Sequence, residues 1–499
     1  MLKADDSFPR PMSDYNFLME IRLSPEQLRA LTFLSRIAAN QGLNLYLVGG
    51  AVRDLTYGMS NIRDLDFAVV GGTQKLLRAL NSPPAKAKPH PLPGAQEEFQ
   101  HIEVLQQRLD AKQQVAEVVF APGIRTEIAA TRSETFSKPG SSPGISPAGI
   151  FEDLKRRDFS INAMAVSLHP NSRGLLLDPT NGAADIERHE LRALHSRSFL
   201  DDPSRIYRLL RLSHRLNFKP DAKTQIWLDQ AMEHKAWEWV NPQQQGREIQ
   251  EILREEDPGR LLKLLGERGL LGGLDSHLSA KKIPFAQFEK IRAAGRNVPG
   301  ADLFLLYFSA LAEKLGPADR AKFAKKVLGD GNLAQSATRL DAEARKVAHE
   351  LKGRRGKTPT DVYYLLSGVP SYVLLYMLVN LQQAPLQSKL KNFLIKVPQV
   401  RAQLPREELL SLGLGPGQKF EEVLEKIFLA QIDGKIKTPL QLSKALRTLS
   451  GIAEPPHHPE PEKLPHPKNV KEAPAANQKP PRNKQQWLKR SLPVQMPRS

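Results

Sequence analysis

Residues 47–72 read LVGGAVRDLTYGMSNIRDLDFAVVGG. Leu43 to Val48 is a short apolar run suited to a buried strand. Gly49 and Gly50 follow, a pair that lets a phosphate approach the backbone closely. The segment from Ala51, which contains Arg53, reads as a helix whose first N–H groups point at such a phosphate. Asp64, Asp66 and Ala68 then alternate with Leu65, Phe67 and Val69. A period of two puts both carboxylates on one face of a strand. Their Cα atoms are then roughly 6.5–7 Å apart, so the carboxylates can converge on a hard cation such as Mg²⁺. A lone glycine pair is a common turn, and a lone Asp-x-Asp is commonly a solvated loop. The ordered set of strand, glycine pair, arginine, helix and paired carboxylates is what points to metal-dependent nucleotide transfer.

Composition narrows the class. A chain of 499 residues holds two to four domains, and 40% apolar content supplies real cores. There is no cysteine, which excludes disulfides, zinc–thiolate sites and thiol nucleophiles and fits a reducing cytoplasm. The formal net charge of +18 favours a polyanionic partner; a basic tail on an ordinary enzyme is the blander reading. No apolar run approaches a membrane span, and the N-terminus lacks a signal-peptide core, so no membrane association is expected.

Residues 1–23 read as poorly ordered. Ser24-Pro25-Glu26-Gln27 is a helix start with Ser as N-cap, and the stripe Leu28, Leu31, Leu34, Ile37 runs to a stop at Gly42. Residues 81–95 are a Pro-rich, flexible insertion, and 137–149 a second mobile loop. Glu117 to Phe120 and Ile124 to Thr131 read as two strands joined at Pro122-Gly123. From about 199 to 449 the pattern is helical. The last fifty residues are Pro-rich and basic, a disordered signature.

Three further clusters carry polar chemistry. Arg156, Arg157, Asp158 and Asn162 sit in RRDFSINA, which offers donors for phosphate and partners for sugar hydroxyls; alone it reads more readily as a helix start with a basic preamble. Asp178-Pro179-Thr180-Asn181-Gly182 is a turn. In FLDDPSRIYRLLRLSHRLNF, Asp202 is a good N-cap and Pro203 suits the first turn. Arg205, Arg208, Arg211 and Arg215 then recur on one helix face, either solvated or meeting a triphosphate or base edge.

Taken together these motifs resemble the class II tRNA nucleotidyltransferases and bacterial poly(A) polymerases, within the polymerase-β-like nucleotidyltransferases. GGAVRD and RDLDFAV resemble the family's first motif, RRDFSINAMA its ribose-reading motif and DPTNGAADI its flexible-loop motif. DDPSRIYRLLR resembles its base-reading motif, QGREIQEILREEDPGRLLKLLGERGLL the next helical motif, and residues 409–438 its C-terminal tail. The likeness spans about 25–449. It departs at Asp201, where the family usually has Glu, in a Gly58–Asp64 interval one residue longer than usual, and in the insertion at 81–95. No HD-type phosphohydrolase motif is visible.

The resemblance implies an α+β fold: a nucleotidyltransferase head with a mixed sheet, followed by all-α neck, body and tail. The expected divisions are a flexible N-terminus at 1–24, a head at 25–195, a neck at 196–275, a body and tail at 276–449, and a disordered tail at 450–499. It implies Asp64 and Asp66 as Mg²⁺ ligands, with Glu127 as a third catalytic acid. Gly49, Gly50 and Arg53 then meet the triphosphate, Arg157 and Asn162 the nucleotide, and Asp158 the sugar. Asp202 and Arg205 present hydrogen bonds to the incoming base, with Arg208 and Arg211 further along the same helix. The implied partners are the 3′ end of tRNA and CTP or ATP, in the cytoplasm. A poly(A) polymerase shares nearly all of these motifs. A non-catalytic RNA-binding protein is disfavoured by the intact Asp64, Asp66, Arg53 and Arg205.

Overall fold

The structure, a computed structural model, describes residues 14–59, 62–81, 102–298, 300–353 and 356–451. The insertion from residue 82 on and the chain beyond 451 lie outside the described residues, so the readings made for those two segments fall there as well.

Residues 15–22, expected to be poorly ordered, form a helix instead. Helix α1 (Tyr15–Arg22) is capped by the Asp14 carboxylate and buries Tyr15 and Met19. Only two of its eight residues face inward, too short a stripe to show as a period in the sequence. Helix α2 (Pro25–Asn40) begins as expected with a complete capping box. Ser24 Oγ accepts from Gln27 N at 3.2 Å and Gln27 Oε1 accepts from Ser24 N at 3.0 Å. Gly42, at φ +65°, turns the chain into the first strand.

The next elements are β1 (Asn44–Val48), α3 (Gly50–Tyr57), β2 (Leu65–Val70), α4 (Thr73–Leu80), β3 (Val104–Asp110), β4 (Val115–Phe120) and β5 (Ile124–Ala130). Then come β6 (Arg132–Thr135), β7 (Gly144–Pro147), α5 (Ile150–Lys155), β8 (Ala165–Ser167), β9 (Leu176–Leu177) and α6 (Gly182–Glu187). Seven strands make one sheet in the order β3-β4-β5-β2-β1-β8-β9. It is mixed: β2 and β5 run parallel, and the other pairs are antiparallel. The β4–β5 hairpin stands where it was expected. The loop at 137–149 is partly ordered, because Gly144–Pro147 pairs with Arg132–Thr135 as a second hairpin.

After α7 (Ser198–Asp201) come α8 (Ser204–Leu216), α9 (Ala222–Glu233) and α10 (Pro242–Leu253), and helices continue to the end of the described chain. Among the described residues no single helix is long and apolar enough to cross a membrane. Two apolar helices, Pro359–Ser367 and Ser371–Asn380, meet at 120°. The second buries Val373, Leu374, Leu375 and Met377.

The chain divides into two units, 1–404 with 428–436, and 405–427 with 437–499. In the first, one continuous buried cluster runs from Tyr15 to Leu394, so the sheet and the helices after it share a core. In the second, Arg406–Ser411 and Pro439–Ser450 are helical, the latter with a capping box between Thr438 and Gln441.

Candidate active site

Strand register assembles the centre. Val48 is the Cα partner of Asp66, so the glycine pair that ends β1 arrives beside that carboxylate. Gly49 holds φ +68°, a conformation that disfavours any side chain, and α3 starts at Gly50. A Cβ on Gly49 would lie 3.4 Å from both Arg157 Nη1 and Asp66 Oδ2, which places a guanidinium and a carboxylate at the same glycine. Asp64 stands one residue before β2 and is exposed. On the parallel neighbour β5, Glu127 is the partner of Asp66, and Glu117 of β4 is the partner of Glu127. Three acids therefore form a row across three strands. Glu117 had been legible only as a strand residue.

Helix α5 lies across this face of the sheet. Ile150 and Leu154 pack with Val48, Ala68 and Ala165 in a small cluster separate from the main core. That seat delivers Asp153, Arg156 and Arg157. Asp153 is only 1% exposed and acts as their anchor: Arg156 Nη2 donates to it at 2.7 Å and Arg157 Nη2 at 2.9 Å. Burial pushes the Asp153 carboxyl up, but the two arginines outweigh it and hold it below the usual carboxylate range.

The carboxylates at the centre shift the other way. Asp66 is pushed up to about 7, first by its withdrawal from solvent and then by Glu127 and Asp64, against the pull of Arg157 and Arg208. Asp64 is raised by its surroundings and by Glu251 of α10, and Glu127 by its surroundings and by Glu117. Crowded anions whose neighbouring arginines do not offset their burial and mutual repulsion are the donor chemistry that a hard divalent metal takes. Among the described residues no group of three or more His, Asp or Glu side chains closes into a metal cage. An open pair of carboxylates suits Mg²⁺, which keeps waters and substrate phosphates in its shell.

The arginines behave differently from the sequence expectation. Arg53 is 4% exposed and turned inward, ion-paired with Asp54 at 2.7 Å, and its Nη1 donates to Asn162 Oδ1 at 2.8 Å. Asn162 Nδ2 in turn donates to Asp158 Oδ1 at 3.2 Å, and Arg208 Nε donates to Asp158 Oδ2 at 2.8 Å. A polar chain thus runs from α3 through the ribose motif to α8. The Asp158 carboxyl sits well below its ordinary range; burial raises it, and Arg208 and Arg205 more than reverse that. Arg205 is also buried, donating to Ser198 Oγ at 2.7 Å and to the Arg156 carbonyl at 2.8 Å. Asp202 Oδ1 accepts from Ser204 N at 3.1 Å and from Gln244 Nε2 at 3.3 Å, while its Oδ2 lies 3.7 Å from Arg205 Nε.

The rest of the basic face of α8 is neither solvated nor bare. Arg211 Nη1 lies 3.2 Å from Glu251 and 3.5 Å from Glu255, Nη2 lies 3.8 Å from Glu248, and Arg215 Nε donates to Glu255 Oε2 at 3.0 Å. The sequence carried a signal for this. Glu248, Glu251 and Glu255 are spaced three and four apart, matching Arg208, Arg211 and Arg215. Burial pushes Glu248 up to about 7, despite Arg211 and Arg208.

The Poly A polymerase head domain matches residues 45–192. An A-adding tRNA nucleotidyltransferase of Geobacter sulfurreducens is 25% identical over 87% of this chain and 48% of its own length. Another of that description, from Halalkalibacterium halodurans, is 29% identical over 84% of this chain and 92% of its own. A CC-adding tRNA nucleotidyltransferase of Deinococcus radiodurans is 33% identical over 51% of this chain and 62% of its own. The chain thus spans about half the length of the Geobacter relative. A solved CCA-adding enzyme in its apo form II overlays with a TM-score of 0.48 at 25% identity, over 87% of this chain and 98% of that one. The head-domain match takes in the glycine turn, the two aspartates and the ribose motif, and over most of its length the chain is similar to A-adding tRNA nucleotidyltransferases.

Proposed function

We propose that this chain transfers a nucleotide from ATP or CTP to the 3′ end of tRNA and releases pyrophosphate. The observation that carries the reading is the pairing of Val48 with Asp66, which brings the glycine turn, the Asp66 carboxylate and Arg157 together around one point. The names of the relatives support tRNA as the acceptor. A-addition is favoured, because the A-adding relatives align along far more of this chain than the CC-adding one.

The residues divide the work as follows. Gly49 leaves room for a phosphate at the start of α3, where backbone N–H groups are free to receive it. Arg157, steadied by Asp153, neutralises charge on the transferring phosphate. Asp64 and Asp66, with Glu127 beside them, are the residues that would hold Mg²⁺, which supplies charge neutralisation on the triphosphate and activation of the attacking hydroxyl. Arg53, Asn162 and Asp158 position that machinery from behind, and Arg208 and Arg211 hold α8 in place. Asp202, with Arg205 at its side, presents acceptor and donor to the base. We assign 25–195 as the catalytic head, 196–275 as the neck, and 276–449 as the RNA-binding part, and we place the enzyme in the cytoplasm.

The test uses tRNAs ending before CCA, after C and after CC, each with Mg²⁺ and either CTP or ATP alone. Incorporation of A on the tRNA ending in CC is the expected result. No Mg²⁺-dependent incorporation on any of the three overturns the reading. The head-domain match favours one second reading, a poly(A) polymerase, which long A tracts on unrelated RNA would establish.

A further inference from the structure

A cavity of about 580 Å³ has Lys155, Thr180, Arg188 and Arg192 in its wall, none of them among the candidate site residues. Its organising group is Asp185, whose side chain is fully buried. Asp185 pins both arginines by the same edge. Arg188 meets it through Nη2, and Arg192 Nε donates to it at 2.8 Å. Arg188 Nε also donates to Glu190 at 2.9 Å, and Arg192 Nη2 donates to the Thr180 carbonyl. Among the described residues Nη1 of each arginine and Nζ of Lys155 have no partner. The Thr180 hydroxyl is buried and likewise has no hydrogen bond. Three cations against Asp185 and Glu190 leave the wall positive, with guanidinium edges fixed in advance. Such a fork suits a phosphate, and fixing it beforehand removes much of the ordering cost of binding.

We propose that this cavity is a phosphate-binding site filled by a backbone phosphodiester of the RNA substrate. The assignment to RNA rests on the function proposed above; a free polyphosphate shares the same chemistry. The site is tied to the ribose motif. Ser160 Oγ donates to Asp185, and Ser160 N donates to the Arg192 carbonyl at 2.9 Å, two residues beyond Asp158. A phosphodiester held here would therefore register the RNA against the nucleotide site.

The experiment compares the full chain with a Lys155→Ala/Arg188→Ala variant. Binding of a tRNA lacking its last three nucleotides is followed by fluorescence anisotropy across a salt series, and binding of inorganic tripolyphosphate by calorimetry. The slope of log affinity against log salt should become shallower by about one to two, since each phosphate contact contributes about one. Tripolyphosphate affinity should fall as well, with the melting temperature unchanged. Unchanged tRNA slope and unchanged tripolyphosphate affinity overturn the proposal. A loss confined to tripolyphosphate upholds a phosphate site and overturns its assignment to RNA. If the double variant does not fold, Lys155→Glu, on an exposed helix end, gives the same reading. The binding slope needs no turnover, so a chain that loses slope as expected but transfers no nucleotide sinks the transferase reading and leaves this one standing.

Discussion

Asp158 joins the ribose motif to helix α8: its Oδ2 accepts from Arg208 Nε at 2.8 Å and lies 2.7 Å from Nη2. The same carboxylate accepts from the Asn162 amide, so one buried side chain serves two segments fifty residues apart.

Replacing Asp158 with Ala should therefore destabilise the fold by about 2 kcal/mol, the usual worth of hydrogen bonds to a charged group. The urea midpoint should drop with little change in slope. The sign with pH follows from a carboxyl held low in the folded state. Its contribution is full above its unfolded value, about pH 4, and is lost as pH falls below that. A midpoint within error of the unsubstituted chain at pH 7 would remove Asp158 as a brace.

Asp66 gives the opposite sign. Its carboxyl is raised to about 7, so the metal-free chain binds an extra proton when folded and loses stability as pH rises from about 4 through 7. Full conversion of that shift would be about 4 kcal/mol, and solvent screening brings it to roughly 1–3 kcal/mol. Asp66→Asn should thus stabilise the metal-free protein at pH 8 by that amount while abolishing transfer. Thermal melts at pH 5 and pH 8 without divalent ions make the comparison; an Asn variant no more stable at pH 8 contradicts the assigned electrostatics.

Arg205→Ala should alter the ratio of CTP to ATP use and leave tRNA affinity unchanged. The variant should also lose about 1–3 kcal/mol, because the Arg156 carbonyl and the Ser198 hydroxyl each lose a partner. Steady-state kinetics with each nucleotide, alongside a tRNA binding curve, separate the two effects. Collapse of tRNA affinity at an unchanged nucleotide ratio would assign this part of α8 to RNA.

Gly49→Ala places a methyl group at φ +68°, within 3.4 Å of Arg157 and Asp66. A cost of about 1–2 kcal/mol from the left-handed backbone is expected, with loss of transfer because phosphate access narrows. Normal turnover by this variant would show that no phosphate passes over the turn.

Features built from local chemistry were legible in the sequence. The capping box at Ser24, the strand leading to Gly49, the alternation around Asp66 and the hairpin turn at Pro122-Gly123 each act over a few residues. Features built from long-range partnership were not. Nothing near EDLKRRD marks Asp153 as the anchor for Arg156 and Arg157. Arg53 reads as a phosphate contact until its partner Asn162, more than a hundred residues on, turns it inward. The matched spacing of Arg208, Arg211, Arg215 with Glu248, Glu251, Glu255 lay in the sequence, but only a known packing of α8 on α10 gives it meaning. Helix α1 and the second hairpin owe their order to packing and pairing partners that no local period announces.

The small cluster beneath α5 sets a limit on rigidity. Five buried residues hold that helix to the sheet, whereas the opposite face of β1 and β2 belongs to the extended core. Opening free energies track the apolar contacts broken, so α5 belongs to the low end of the molecule's opening spectrum. Its amides should exchange with deuterium sooner than those of β1 and β2. A nucleotide gripped by Arg157 would then protect α5 by mass action, making the helix that carries the grip the segment whose breathing substrate quiets most.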